Sequence, residues 1–312
     1  MHSDPGCTTG GGRETAWEPD VVRAAMLARI EPLTGFEQVP LVRALGRVLA
    51  GTQAGLSDGH RLRAIDVGHM AAGGFAEVLS YRRPRVAVLC TGDDLCPVGY
   101  ALAPGRIHDS NRYLLAGLLA NCGVDVVDLG VAPDRVDSLS RRLARAAADC
   151  DAIVTTGGAS AGEADLLCDV IAADGELLIR RVAMRPGRPM AFGRIDRAWI
   201  FSLAGKPSGV LAAILSFVGD ALRCLGGEHP LPTWPRLTAT LAEPLTKNHR
   251  RTEFVQGVLF ERGGRWLVRA SRDEAGRLGS MSAANCYIVM SPAEMLLAAG
   301  QRVPVQFFGG RC

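Results

Sequence analysis

Between residues 84 and 228, short apolar runs alternate with segments in which apolar residues recur at helical spacing. Apolar runs bounded by turn residues predict buried strands, and the amphipathic segments between them predict helices. Strands are predicted at 86–90, 124–129, 152–155, 189–192 and 198–203, and helices at 111–121, 135–148, 166–173 and 208–225. This alternation predicts an α/β fold: a three-layer domain with a parallel sheet, helices on both faces and a ligand crevice at the carboxyl ends of the strands.

The flanking segments have different patterns. Residues 1–16 lack apolar periodicity and are predicted to be a flexible tail, whereas 17–83 form a short helical N-terminal segment. Its helices are predicted near Pro19 and over 39–50, with a glycine-rich linker at 51–59. Beyond 84–228, residues 229–312 are predicted to form a small all-β C-terminal domain, with strands at 236–241, 254–260, 266–270, 287–290 and 303–308.

Composition limits the class of protein. The 312 residues are 48% hydrophobic with a net charge of +3, which indicates a globular protein and gives no sign of a nucleic-acid partner. The longest uncharged apolar stretch, 207–219, is too short to span a membrane. Nine scattered cysteines without a C-x-x-C pair, and no apolar leader in 1–16, predict a cytoplasmic protein. No G-x-S-x-G elbow or Walker A lysine motif supports a serine hydrolase or a P-loop phosphotransferase.

The most informative loop is 155–165 (TTGGASAGEAD), between a predicted strand and a predicted helix. A glycine-rich turn at a helix start can direct several backbone N–H groups at one point, which suits a phosphate group. Glycines at such a turn also occur for packing alone, so both interpretations stay open for this loop by itself. Its candidate ligand-binding residues are Gly157, Gly158, Ser160, Gly162 and Glu163.

Acidic and amide side chains follow other predicted strands. Carboxylates beside anion-binding glycine loops are favourable when a divalent cation lies between them, so the pattern predicts Mg²⁺ with a phosphorylated ligand. The alternative is that Asp109 and Asp134 cap helices and Asp93 stabilises a turn. The candidate residues are Thr91, Gly92, Asp94, Asp109, Ser110, Asn111, Asp134 and Asp165.

Basic side chains lie in two further loops of the same region. Arg185 and Arg188 stand three residues apart in a proline-framed segment, MRPGRP, which suits an oxyanion held by forked donors. Gly205, Lys206 and Pro207 form another predicted strand-to-helix turn, where Lys206 could contact a phosphate. The alternative for both loops is a solvated surface position.

Five segments in order resemble the molybdopterin molybdenumtransferase family, which includes MoeA and the E domain of gephyrin. They are TGDDL at 91, GRIHDSNRYLL at 105, TTGGASAGEAD at 155, MRPGRPMAFG at 184 and LAGKPSG at 203. The similarity extends to ALGRVLA at 44, RTEF at 251 and SMSAAN at 280. Several ordered motifs make the resemblance specific.

The resemblance implies a transferase of molybdenum cofactor biosynthesis that inserts molybdate into adenylylated molybdopterin, uses Mg²⁺ and releases AMP. It implies a homodimer, contact with molybdopterin adenylyltransferase or a molybdoenzyme, and a molybdopterin-binding domain at 84–228. By motif, Asp94, Asp134 and Asp165 belong to the metal and catalytic cluster, and Arg185 and Arg188 take the places of two lysines proposed to hold molybdate. The other candidate residues bind the pterin nucleotide.

The chain departs from the family pattern in places. About ten residues between Ala50 and Arg61 replace an inserted domain that the family normally carries. Asp94 replaces a glutamate, and arginine at 185 and 188 keeps the charge of lysine but changes its geometry. An alternative function is therefore a binding paralogue that carries molybdopterin without turnover. A third is a nucleotide-processing enzyme related to the molybdopterin adenylyltransferase-like domains, against which the C-terminal β domain argues.

Overall fold

The computed structural model of the chain describes residues 16–157, 164–231, 236–271 and 278–308. Apart from residue 16, the predicted N-terminal tail lies outside this part. The helices are α1 (Pro19–Leu27), α2 (Ala64–Ala72), α3 (Asn111–Ala120), α4 (Val136–Asp149), α5 (Ala164–Asp174), α6 (Pro207–Ala213), α7 (Gly219–Leu225) and α8 (Leu278–Ala283).

The strands divide among a central sheet, a C-terminal sheet and three small pairs. They are β1 (Phe36–Pro40), β2 (Glu77–Tyr81), β3 (Arg85–Thr91), β4 (Leu95–Cys96), β5 (Ile107–His108), β6 (Asp125–Ala132), β7 (Ala152–Thr156), β8 (Glu176–Arg181), β9 (Met184–Arg185), β10 (Pro189–Ile195), β11 (Ala198–Leu203), β12 (Arg236–Leu241), β13 (Leu245–Thr246), β14 (Thr252–Arg262), β15 (Arg265–Ala270), β16 (Cys286–Met290), β17 (Leu296–Leu297) and β18 (Arg302–Phe307).

The central sheet has the strand order β6-β3-β7-β11-β10-β8. The first four strands are parallel, as predicted, but β10 is antiparallel to both of its neighbours. The expectation of a parallel sheet is therefore wrong for the sheet as a whole, which is mixed. The cause is the connection from β10 to β11, which consists of Asp196 and Arg197 alone, with Asp196 at φ +49°. A two-residue turn joins antiparallel strands, because a parallel pair needs a long crossover.

Successive residues of the central strands enter two different hydrophobic clusters. Val86 and Val88 pack in one cluster with α1, α3 and the helix over 207–225, while Ala87 and Leu89 pack in another with α4 and α5. This alternation is what a strand covered on both faces produces. A π-helical segment joins α6 to α7. The resulting helix over 207–225 is, by length and composition, long and apolar enough to cross a membrane. However, 89% of its apolar 18-residue stretch is buried inside the protein, which is typical of a core helix.

The N-terminal region contains more strand than the sequence pattern predicts. The predicted helix near Pro19 is confirmed as α1, but the predicted helix over 39–50 is wrong. Residues 36–40 form β1, paired antiparallel with β2, and Leu41–Arg43 is a single 3-10 turn. Gly46 accounts for part of the difference, because its φ of +75° is left-handed and a right-handed helix cannot continue through it.

The C-terminal region closes into a five-stranded barrel. The strand order is β12-β18-β16-β14-β15, and β15 pairs with β12 to complete the circuit. β9, which belongs to the central region in sequence, pairs with the edge of β14 and so ties the two regions together. The region also contains α8, so the expectation of an all-β domain is corrected to a strand-rich one. The residues of α8, LGSMSA, are small and carry no clear apolar period.

A half-buried ion pair fixes the start of the central sheet. Asp151 accepts hydrogen bonds from both terminal nitrogens of Arg82, at 2.7 and 2.6 Å, and from the backbone N–H of Arg85, at 2.8 Å. Burial alone would raise the pKa of the Asp151 carboxyl, but the hydrogen bonds from Arg82 and Arg85 outweigh burial and lower that pKa.

We expect Asp151→Asn to reduce the free energy of unfolding by about 1 to 2 kcal/mol at neutral pH, since it removes a charge from these hydrogen bonds. Because the native pKa is lowered, this contribution is complete above the unfolded pKa of about 4 and is lost as the pH falls through the native value. Denaturant unfolding of both proteins across the acid range measures the difference. Asp125→Asn is the control, since Asp125 lies 3.7 Å from Arg83 in an exposed pair. Equal losses from both substitutions would contradict the assignment.

Candidate functional site

The carboxyl edge of the parallel strands brings the predicted ligand-binding loops into contact. Gly157, directly after β7, has φ +103°, and a Cβ atom there would lie 1.9 Å from the carbonyl oxygen of Thr91 at the end of β3. A Cβ atom on Gly205, after β11, would lie 3.4 Å from the Cα atom of Gly157. Asn111, at the start of α3, donates a hydrogen bond from Nδ2 to the Gly205 carbonyl oxygen at 2.7 Å. Three strand ends and one helix start therefore meet at this edge.

Polar groups are buried at the same edge. Thr91, Asp109 and Asn111 are 3%, 1% and 9% exposed. Within the described part of the chain, Thr91 Oγ1 and Asn111 Oδ1 are buried and have no hydrogen-bond partner. A buried polar atom without a partner is costly, so such atoms at a strand edge indicate a place where a ligand completes the hydrogen bonding.

Asp109 contributes to the helix start as well as to the edge. Its Oδ1 accepts a hydrogen bond from the backbone N–H of Arg112 at 3.3 Å, and its Oδ2 lies 3.4 Å from Arg112 Nε. The capping interpretation is therefore supported for this residue, whereas Ser110 makes no side-chain cap bond. Nearby, burial raises the pKa of Cys90 to about 12, so this thiol is neutral and serves as a packed strand residue.

The acidic candidates come from neighbouring loops. The backbone N–H of Asp134, two residues after β6, donates to Asp93 Oδ1 at 3.4 Å, so the β3 and β6 loops are adjacent. Asp94 follows in the first of them, and a Cβ atom on Gly92 would lie 2.8 Å from Asp94 Oδ1. Among the described residues, no group of three His, Cys, Asp or Glu side chains is arranged to hold a metal ion. The carboxylate oxygens of these loops are nonetheless the donor type that Mg²⁺ prefers.

Part of the central loop cannot be compared with its prediction. Gly158, Ser160, Gly162 and Glu163 lie outside the described residues. Asp165 belongs to the first turn of α5, but its side chain also lies outside the described part. Their predicted roles, and the assignment of Asp94, Asp134 and Asp165 as metal ligands, stay predictions.

A third arginine, Arg251, lies near the two predicted oxyanion ligands, Arg185 and Arg188. Arg185 lies on β9, and its Nε is 3.7 Å from Glu253 Oε1 on the paired strand β14. Burial, followed by the positive charges of Arg188 and Arg185, lowers the pKa of Arg251 at the start of β14. Arg185 and Arg188 therefore both lie close enough to Arg251 to repel its guanidinium. Arg251 was not among the predicted oxyanion ligands, although its RTEF segment was part of the resemblance and could have drawn attention to it.

A buried lysine fixes the position of Arg251. Lys247 is 8% exposed, and its Nζ donates hydrogen bonds to the carbonyl oxygens of Arg251, at 2.7 Å, and of Ser291. Burial lowers the pKa of Lys247. His249 lies beside the same strand, with Nε2 3.2 Å from Glu253 Oε2. The hydrogen bond from Lys247 thus fixes the backbone of Arg251 at the start of β14, and this limits where its guanidinium can lie.

The loop that carries Arg185 and Arg188 lies beside α6, which starts next to Gly205; we call the edge formed by Gly157 and Gly205 the glycine edge. Gly187, between Arg185 and Arg188, has φ +98°, and a Cβ atom there would lie 3.3 Å from the carbonyl oxygen of Gly209 in the first turn of α6. Lys206 is the N-cap residue of this helix, with an exposed side chain, and Pro207 is its first residue. The positive end of the helix dipole therefore lies between the Gly157 edge and the arginines. This arrangement favours a phosphorylated ligand at the glycine edge next to a separately bound oxyanion at the arginines.

The comparison with known families agrees with this geometry. Residues 87–223 match the family described as "Probable molybdopterin binding domain", and residues 238–308 match "MoeA C-terminal region (domain IV)". The molybdopterin molybdenumtransferase of Haemophilus influenzae is 30% identical over 269 residues, which are 86% of this chain and 67% of that protein. The protein of the same name from Nostoc is 30% identical over 264 residues, which are 82% of this chain and 60% of that protein.

Solved structures show the same fold. The molybdopterin biosynthesis MoeA protein from Pyrococcus horikoshii has a TM-score of 0.80 at 20% identity, covering 95% of this chain and 100% of that one. A molybdenum cofactor biosynthesis protein from Pyrococcus furiosus has a TM-score of 0.74 at 24% identity, covering 94% and 100%. The structure is thus a MoeA-like α/β fold with a mixed central sheet and a strand-rich C-terminal barrel.

The fold and the matched domains define a molybdopterin-binding α/β protein. The chain belongs to the molybdopterin molybdenumtransferase family, so the resemblance carried by the sequence motifs is confirmed. The relatives are named as transferases, and the family's function lies in molybdenum cofactor biosynthesis. The chain spans 67% and 60% of the length of the two relatives described above.

Proposed function

We propose that this chain inserts molybdate into adenylylated molybdopterin, with release of AMP. The observation that carries the proposal is the adjacency of two unlike sites: a glycine edge with buried, unpartnered Thr91 and Asn111 oxygens, and a group of three arginines one loop away. The first suits a phosphorylated ligand and the second suits a tetrahedral oxyanion.

At the glycine edge, the pterin nucleotide would lie over Gly157 and Gly205, with Asn111 and the N-cap residue Lys206 beside its phosphates. Gly157 lets the ends of β3 and β7 approach closely, which brings the buried Thr91 hydroxyl to the edge, and the helix dipole at Pro207 attracts an anion there. Burial of Thr91 and Asn111 excludes water from this contact, which strengthens each electrostatic interaction.

Asp94, Asp134 and Asp165 would hold Mg²⁺, which neutralises charge on the phosphoanhydride when bound. The adjacency of the β3 and β6 loops, through Asp93 and Asp134, supports this part of the proposal. Molybdate, as the second substrate, would be held by Arg185, Arg188 and Arg251. Forked guanidinium donors match a tetrahedral oxyanion better than point charges do, and repulsion among the three is relieved when an anion binds.

The proposal also covers the cellular compartment, the oligomeric state and the partners of the protein. We propose a cytoplasmic homodimer that meets molybdopterin adenylyltransferase or a molybdoenzyme, without nucleic-acid or membrane contact. The free cysteines of the described residues support a reducing compartment. The domain division into 17–83, 84–228 and 229–312 is likewise proposed, and the matched ranges 87–223 and 238–308 support its last two parts.

Crystals grown with adenylylated molybdopterin and soaked in tungstate, a heavier analogue of molybdate, test both sites at once. The proposal expects pterin phosphate density at Gly157 and an anomalous tungsten peak in contact with Arg188 and Arg251. Tungsten bound elsewhere, with the arginine group empty, would contradict the oxyanion assignment.

We expect Asp165→Asn to lower the turnover rate by about a hundredfold while leaving the melting temperature almost unchanged. A carboxylate in the first turn of α5 adds only about 0.3 to 1 kcal/mol through the helix dipole, whereas losing one electrostatic stabiliser at the reacting phosphate has the larger effect. Pterin binding should survive. A variant that unfolds early with its per-molecule activity intact would assign Asp165 to a purely structural role.

A further inference from the structure

A second group of arginines lies at the opposite, amino end of the central strands. Arg47 and Arg61 of the N-terminal region, Arg82 and Arg83 before β3, and Arg223 of α7 line one small cavity together with Glu228. We call this the arginine cavity. It lies away from the candidate ligand edge, because β3 begins at Arg85 and its ligand loop begins after Thr91.

The charges around the arginine cavity do not balance. Arg47 contacts Glu37 at 2.6 Å, Arg82 contacts Asp151 at 2.6 Å, and Arg83 lies 3.7 Å from Asp125. Glu228 is shared by Arg61, at 3.5 Å, and Arg223, at 3.6 Å. Five guanidinium groups therefore face four carboxylates in these contacts.

Burial is uneven among these groups, since the side chains of Arg61, Arg82 and Arg83 are 24%, 34% and 39% exposed whereas the other two arginines and the shared glutamate are buried. Arg47, Arg223 and Glu228 are 9%, 7% and 5% exposed. The Nε atoms of Arg47 and Arg83 are buried and have no hydrogen-bond partner in the part of the chain that the structure describes. An uncompensated buried charge is destabilising, and buried N–H donors favour an acceptor. Both deficits are removed by one bound anion.

The size of the arginine cavity limits which anion fits. The free space between the side chains admits one ligand of about the size of a water molecule. Gly46 and Gly123 border it, and a Cβ atom on either would lie 3.7 or 3.4 Å from an Arg61 nitrogen. A halide ion is slightly larger than water and fits with a small shift of the flexible arginine ends, whereas phosphate or sulfate would require the arginines to move well apart.

We propose that the arginine cavity binds a halide ion, chloride in the cell, which fastens the N-terminal region to the central sheet. The proposal is independent of the function proposed for the carboxyl edge. Arg47, Arg61, Arg82 and Arg83 come from the N-terminal region 17–83 and Arg223 comes from α7 of the central region, so a bound halide links the two regions electrostatically.

Thermal unfolding in potassium chloride, with potassium gluconate added to keep the ionic strength constant, tests the site. A specific ligand of the native state raises the melting temperature, and we expect a rise of about 2 to 4 °C at saturation. Arg61→Gln should abolish the rise. Glu228→Gln should enlarge it, because it removes the competing negative charge. Arg185→Gln, at the candidate oxyanion site, should retain the full response.

A bromide soak of the crystal provides the second measurement. The proposal expects an anomalous bromine peak in the arginine cavity, in contact with the Nε atoms of Arg47 and Arg83. The same chloride response in the unmodified protein and in Arg61→Gln, or no bromine peak in the arginine cavity, would overturn it and leave the arginines as braces between the two regions. Stabilisation by sulfate but not by chloride would also overturn it, in favour of a larger anion.

Discussion

Replacing Arg188 or Arg251 with methionine should lower the turnover rate by about a hundredfold to a thousandfold each, the range expected for losing one preorganised electrostatic contact to the reacting group. The reason is that each removes a forked donor from the oxyanion group while keeping most of the apolar stem. The stability of Arg251→Met should change little, because burial and the positive charges of Arg188 and Arg185 already disfavour the charge of Arg251 in the unliganded protein, lowering its pKa. Steady-state kinetics and thermal unfolding measure the two effects separately.

Arg265→Met is the matched control, since Arg265 is an exposed residue beside the Gly263-Gly264 turn and pairs with Arg262. It should retain full activity. If Arg188→Met and Arg251→Met kept the turnover rate and the molybdate dependence of the unmodified protein, the oxyanion would have to bind elsewhere.

Gly157→Ala should lower the free energy of unfolding by about 3 kcal/mol and weaken pterin binding at the same time. A non-glycine residue at φ +103° is strained, and its Cβ atom would lie 1.9 Å from the Thr91 carbonyl oxygen, so β3 and β7 would have to separate at their carboxyl ends. Denaturant unfolding gives the stability change, and calorimetric titration with adenylylated molybdopterin gives the change in affinity.

Gly117→Ala is the control for this substitution. Gly117 lies in α3, and a Cβ atom there would meet nothing within 4 Å, so alanine should be neutral or slightly stabilising. Normal stability and normal pterin affinity in Gly157→Ala would show that the strand ends do not form the close contact on which the candidate site depends.

The sequence pattern predicts the parallel half of the fold well, because β3, β7 and β11 are apolar runs that are buried on both faces, and the edge strand β6 is also largely apolar. It does not predict the mixed sheet. The predicted strands 189–192 and 198–203 leave five residues between them, and this spacing does not show that the chain turns back. In the structure β10 extends to Ile195, so that only Asp196 and Arg197 form the turn. β8 was missed because polar residues such as Glu176, Arg180 and Arg181 interrupt its apolar run.

The candidate site could be predicted as a set of loops but not as a geometry. Asn111 lies 46 residues before Gly157 and 94 residues before Gly205 in the chain, and only the strand order β3-β7-β11 brings them together. Arg251 shows the same limit more clearly. It reaches Arg185 and Arg188 because β14 pairs with β9, and that pairing of two distant strands leaves no local signal in either segment.

The central claim is that the chain is an active molybdotransferase despite the short segment between Ala50 and Arg61. The most direct measurement is AMP release by the purified protein incubated with adenylylated molybdopterin, Mg²⁺ and increasing molybdate. The account predicts AMP release that rises with molybdate concentration and saturates, and that is lost in Arg251→Met. Tight binding of the adenylylated pterin with no AMP release at any molybdate concentration would contradict it, and would instead fit a carrier of the cofactor.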